Sequence, residues 1–204
     1  MNKYSIFIGR LPKGAPQEAF ASIAAGWEIH DKTAAQIAAI KSDPNLTSAG
    51  KAIAIEKALK AGPLDHLRQL RADVDKRLSD AVSQRGVLRE RVLGADNFSK
   101  ALKQEVRQYL RELQPVERMK VLNSDDALIR EAVLGAPHYL SGVPKDVWGH
   151  AADAAVEAVH GEHLKQIDVL ETAFSETQAA LQVALDDIRR ASDLPPNEFE
   201  KIAA

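Results

Sequence analysis

The chain has no cysteine, so a disulfide framework and a thiolate metal site are both excluded. Aromatic residues make up only 5% of it, and alternating runs of β-branched and aromatic residues, the usual mark of a strand, are nearly absent. No window approaches ~18 consecutive apolar residues, so no transmembrane helix and no membrane partner are expected. The apolar stretch Ile6-Phe7-Ile8 is too short for the core of a signal peptide, which predicts a soluble chain made in the cytoplasm. Gly-x-Ser-x-Gly and the dinucleotide fingerprint are both missing. Gly50-Lys51 lacks the upstream glycine and following hydroxyl of a phosphate loop. Ser48-Ala49-Gly50-Lys51 fits Ser-x-x-Lys without the companion motifs of that acylating class, and reads as the first turn of a helix. No catalytic residue and no cofactor are expected.

What the chain does have is helix former. Ala, Leu, Glu, Lys, Gln and Arg fill the long segments, and apolar residues recur at steps of three and four. The fold class predicted is all-α: an elongated helical bundle or hairpin with one very long C-terminal helix. Residues 1–16, with Gly9, Pro12, Gly14 and Pro16, read as an irregular arm with a short extended piece at Tyr4–Ile8. Residues 17–122 read as a basic helical region. Within it Gly26 and Asp31 are candidate breaks, Ser42-Asp43-Pro44-Asn45 is a turn, and Thr47 is a helix cap. Residues 123–194 read as an acidic helix-turn plus long helix packed on 64–93, with Ser124 capping the first helix. Residues 195–204 read as a tail. From Pro144 to about Ala191 no internal proline interrupts the pattern. Its predicted inward stripe runs through Val147, Trp148, Ala151, Ala155, Ala158, Val159, Ile167, Leu170, Phe174, Leu181, Leu185 and Ile188, with Gly161 as a possible bend.

Charge is unevenly spread. Residues 1–122 carry 21 Lys/Arg and 14 Asp/Glu, whereas residues 123–204 carry 6 and 15. Such polarity suits docking of one half on the other, or head-to-tail contact between copies; both faces being simply solvated is the plainer alternative.

Three side-chain groups carry chemical possibilities. Glu157, His160 and His163 are three apart, so on a continuous helix they share a side and could hold Zn²⁺ or iron in a bundle enzyme. Against this, the sequence holds one Glu-x-x-His where dicarboxylate enzymes use two, and solvated histidines explain the spacing equally well. Arg85, Arg89, Lys100, Lys103, Arg107 and Arg111 form a basic region that could meet nucleic acid phosphates. The acids interspersed among them favour a solubilised face or docking on an acidic neighbour. Tyr139, Leu140, Val143 and Trp148 are the densest apolar–aromatic knot, either core or a partner-binding anchor.

Two stretches carry a family resemblance. Asp43-Pro44-Asn45-Leu46-Thr47-Ser48-Ala49-Gly50-Lys51-Ala52, leading into an Ala/Leu-rich charged helix, resembles a segment of small helical proteins of tailed bacteriophages. Val133-Leu134-Gly135-Ala136-Pro137-His138-Tyr139-Leu140-Ser141-Gly142-Val143-Pro144, leading into a long helix, resembles their second signature. The resemblance covers roughly residues 43–190 and transfers no catalytic residue. It implies a virion structural or assembly context: a non-enzymatic protein in multiple copies, contacting itself and other phage structural proteins, in the particle after synthesis in the bacterial host. A cytoplasmic nucleic-acid-associated protein is the alternative from the basic region, and a metal-dependent bundle enzyme the alternative from the histidines.

Overall fold

The computed structural model describes residues 3–94, 96–122 and 126–203, and they are all-α. The helices are α1 (Lys3–Arg10), α2 (Gln17–Ser42), α3 (Ser48–Lys60), α4 (Pro63–Leu93), α5 (Lys100–Glu112), α6 (Pro115–Leu122), α7 (Ala127–Leu134), α8 (Lys145–Ser192) and α9 (Pro196–Ala203), with a 3₁₀ turn at His138–Leu140. No strand occurs among the described residues. The expected long C-terminal helix is there as α8, but His160 has φ −126° and ψ 19°, so two helical stretches join at a kink rather than forming one rod.

Two compact units form, residues 1–82 with 167–204 and residues 83–166. The predicted boundary at 122/123 is therefore not a structural one. The charge asymmetry of the sequence halves also vanishes: residues 83–166 carry 12 Lys/Arg and 12 Asp/Glu, leaving 15 and 17 for the other unit. Each unit combines segments of both signs.

In the first unit the seam is a set of sevens. Ile167, Phe174, Leu181 and Ile188 on α8 are all buried, and so are Leu67, Val74 and Ala81 on α4. A seven-residue step keeps a stripe on one side of a helix over several turns. Of these, Leu67, Val74, Phe174, Leu181 and Ile188 share one core with Ala19, Ile37, Ile55, Leu59, Leu64 and Phe199. The α8–α4 packing expected from sequence is thus present here, joined at its edge by Gln178 donating to Asp75 at 2.8 Å. Thr177 sits in the seam and directs its hydroxyl to the Ala173 carbonyl at 2.8 Å, so the buried oxygen is satisfied.

Three expectations are corrected in this unit. Residues 3–10 form a helix, not an extended arm, because Phe7 finds a buried seat. α2 runs unbroken through Gly26 and Asp31. The tail folds as α9, with Phe199 buried in the main core. Thr47 caps α3 as expected, accepting from the Gly50 N–H at 3.1 Å. Ser124 lies outside the described residues.

Gly26 is kept small by its neighbours. A Cβ there would lie 2.2 Å from Leu181 Cδ2, and Leu181 is fully buried and has little room to move. Gly26→Ala is expected to destabilise despite the ~1 kcal/mol of helix propensity that alanine brings, because overpacking a filled core costs about 1–3 kcal/mol. Leu181→Ala alone is expected to cost about 2–5 kcal/mol. In the double variant the alanine methyl partly refills the hole, so urea denaturation of the four chains is expected to show a coupling of at least about 0.5 kcal/mol.

Candidate interaction cleft

The second unit is organised by two buried or half-buried charges, each of which ties separate segments together. Glu131 stands in an otherwise apolar helix, α7, and is buried. Its carboxylate accepts from Asn97 Nδ2 at 2.9 Å, the Phe98 N–H at 3.2 Å and Lys103 Nζ at 3.1 Å, tying the segment before α5 to α7. Burial pushes its pKa up, but these three donors outweigh it and hold the carboxyl below its ordinary value. Asp96, bonded to Lys103 at 2.6 Å, is likewise held low by that ammonium, and Lys103 is raised by Asp96 and Glu131 together.

The second clamp is Arg118 on α6. Its guanidinium donates to the Leu110 carbonyl at 2.7 Å, to Leu113 at 3.0 Å, to Arg111 at 3.2 Å and to Gly142. Three of these are orphan carbonyls at the C-terminal end of α5, where a cation is favoured. The fourth fixes the loop before α8, where Gly142 takes φ +68°. Arg111 donates to the Leu140 carbonyl in the same loop. Within the loop, the Val143 N–H and the Ser141 hydroxyl both donate to the His138 carbonyl, at 3.3 and 3.1 Å. The loop between α7 and α8 is therefore rigidly set, and so is the start of α8. There Trp148 Nε1 donates to the Val133 carbonyl at 3.0 Å, and the Arg89 guanidinium lies 5.9 Å from its ring centre.

This scaffold holds open a cleft of about 660 Å³. Its floor is an alanine face of α8 (Ala151, Ala154, Ala155 and Ala158), and its walls include Ile129 and Val133 of α7, with Val147, Trp148 and Val159 of α8. Ala151, Ala154 and Ala158 are exposed, and Val159 is 64% exposed. Arg91, Arg130 and His160 stand among the lining residues. Sequence periodicity placed Ala151, Ala155, Ala158 and Val159 on the inward stripe. In the structure Ala152 and Val156 are the buried residues of this stretch, Ala155 is half-buried against the same core as expected, and Ala151, Ala158 and Val159 are exposed. The reason lies in the neighbours: Ala152 meets the core formed by Leu110, Val133, Leu134 and Val143, Val156 follows it one turn on, and alanines spaced around the rest of the helix give periodicity no means of choosing that face.

The three candidate groups fare differently. Of the apolar knot, Val143 is 3% exposed and belongs to the core with Leu110, Val133, Leu134 and Ala152, so it is not a partner contact. Trp148 is anchored inward by its indole bond yet lines the cleft. Tyr139 and Leu140 face outward, at 66% and 38% exposure. Of the basic region, Arg89 is ion-paired with Asp153, Lys103 serves Asp96 and Glu131, and Arg107 donates to the Ala132 carbonyl at 3.0 Å. Arg111 holds Leu140, and Arg85 is engaged as well. Lys100, Lys103 and Arg107 do meet in one hollow of about 370 Å³, together with Leu93, Gly94 and Gly135. That hollow lies between the C-terminal ends of α4 and α7 and the N-terminal turn of α5, so helix dipoles of opposite sign meet there. Four of the six basic residues, Arg89, Lys103, Arg107 and Arg111, are structural clamps bonded to the protein's own carbonyls and carboxylates. The His160 and His163 rings are 6.2 Å apart and tilted, and His160 is the non-helical residue. Among the described residues no group of three or more His, Cys, Asp or Glu is placed to hold a metal ion, so Glu157, His160 and His163 are not brought together as ligands.

Glu131 and Arg118 escaped sequence reasoning. A lone acid inside Ala127-Leu128-Ile129-Arg130-Glu131-Ala132-Val133-Leu134 was the available signal for the first; nothing local marks the second. No helix among the described residues is long and apolar enough to cross a membrane. Compared with known proteins, the chain matches no family model, no curated protein and no solved structure.

Two outcomes follow from the clamps. Replacing Arg118 by Met is expected to lower the stability of this unit by about 2–4 kcal/mol, and Lys is expected to rescue little of it, since a point charge cannot reach carbonyls on two sides. The folded-state pKa values of Glu131 and Asp96 are depressed, so their contribution is full above the ordinary carboxylate range and fades as pH falls through the folded values. The raised Lys103 adds a loss only on the strongly alkaline side. Thermal melts should be flat near neutrality and fall on acidification, and Glu131→Gln should flatten the acid limb while lowering the neutral midpoint.

Proposed function

We propose that this protein is a non-enzymatic bacteriophage virion structural or assembly protein, present in several copies and working through helix-mediated contacts with itself and other particle proteins. The observation that carries this reading is the cleft: a rigidly framed, solvent-facing alanine face between apolar walls. Small residues let a partner backbone approach closely, and the valine, isoleucine and tryptophan walls supply burial. A single helix is about 10 Å across, a fitting occupant for such a trough. Arg91, among the lining residues, favours an occupant whose apolar stripe is flanked by acidic residues. The resemblance of residues 43–52 and 133–144 to small helical proteins of tailed phages supplies the particle context.

Mass spectrometry of particles purified from infected host cells is expected to find the protein in stoichiometric amounts or bound to assembly intermediates. Substituting both Ala151 and Ala158 with Glu is expected to leave the melting curve nearly unchanged, because exposed positions typically shift stability by less than about 0.5 kcal/mol. The same variant should drop out of particles or intermediates. Equal incorporation of the variant, or absence of the wild-type chain from both, would overturn the reading.

A further inference from the structure

α1 is held apart from the main core. Phe7, with Tyr4 and Ile8 beside it, packs on Ile23 and Trp27 of α2 and on Ala180, Val183 and Ala184 of α8, a cluster of its own. The larger core of this unit closes without Phe7. The charges of α1 are Lys3 and Arg10, with no acid. They meet acids of α8: Lys3 Nζ lies 2.7 Å from Asp187 and Arg10 lies 3.9 Å from Glu176. Every one of these α8 partners is far away in sequence, 184 positions in the case of Lys3 and Asp187. Recognition thus depends on the face that α1 presents and not on its covalent attachment.

The attachment is a hinge. Residues 11–16 include Pro12 and Pro16, and between them Gly14 takes φ +88°. The link is seated at Leu11, against both clusters, and at Ala15, against the main core, and is open at Gly14, where nothing lies within 4 Å of the position a Cβ would take. Glycine accepts a wide range of φ there; the Ala15 N–H donates to the Pro12 carbonyl across the turn at 3.0 Å, and Pro16, extended at φ −67° and ψ 148°, leads into α2. In the seat itself the buried Trp27 Nε1–H has no acceptor.

We propose that the seat formed by Ile23, Trp27, Ala180 and Ala184, with Asp187 at its edge, takes the α1 helix of a second copy, so that N-terminal helices are exchanged between chains. The same apolar face and the same basic-on-acidic pairing form in either case; only the path of residues 11–16 changes. Attachment in the same chain favours the self-seated state at dilution, and crowding of copies favours the exchanged one. A reciprocal exchange closes a dimer, and a one-way exchange links copies in series. The inference stands on the N-terminal seat, independently of the cleft.

The absence of native cysteine makes the test direct. Full-length Lys3→Cys and Asp187→Cys chains are mixed at high concentration, incubated, and treated with a short bis-maleimide; the double variant is treated in parallel. Exchange gives a covalent heterodimer whose cross-linked peptide joins position 3 of one chain to position 187 of the other, in a yield that rises with concentration. The double variant should close within one chain at dilution and between chains when concentrated. A double variant that links only within its own chain at every concentration, with no 3-to-187 product in the mixture, would overturn exchange. A double variant that fails to link at all would overturn the seat.

Discussion

An amphipathic helix must hide its apolar stripe against something, and in an all-α protein that something is another helix. Backbone hydrogen bonds are already satisfied within each helix, so the distance of approach is set by side-chain size where the axes cross. Gly26 against Leu181 is the clearest case here: the absence of a Cβ lets a fully buried leucine sit against the α2 backbone. Around that contact the sevens of α4 and α8 line up, and α2, α3 and α9 complete the core. The second unit has no such long seam, and its short helices are tied instead by Glu131 and Arg118.

Those two residues illustrate how polar groups can organise a small core. A buried carboxylate costs free energy unless its oxygens are bonded, and Glu131 uses both, reaching two segments around α5. Arg118 spreads its planar donors over carbonyls that the end of α5 leaves unpaired. The consequence is positional precision in the loop before α8, which in turn fixes how the alanine face meets α7. The proposed docking role needs that rigidity, since an apolar trough whose walls moved would collapse on itself.

The seat of α1 follows another logic. It is assembled from distant segments and covered by a helix on a hinge. The two surfaces are chemically distinct, one an alanine face lined by Arg91 and the other an apolar seat edged by Asp187 and Glu176.

Helix content, the turn at 42–45, the Thr47 cap, the approximate ends of α8 and its packing on α4 were legible in the sequence, because they depend on local propensity and on the 3.6-residue period. The helix at 3–10 was hidden behind Gly9, Pro12 and Gly14; what makes it a helix is Phe7's burial against residues more than 170 positions away. The division into units at 82/83 and 166/167 was equally invisible, since it follows which stretches pack together and not where composition changes. Arg89, Lys103, Arg107 and Arg111 looked like a phosphate-binding surface until folding supplied each with an internal acceptor. Sequence by itself determined the longer helices and the Thr47 cap, since these rest on local propensity and the 3.6-residue period, but not the helix at 3–10. Which face of each helix is buried, which charge is spent internally and which alanines remain exposed were decided only in three dimensions, because they depend on which distant segments pack against each helix.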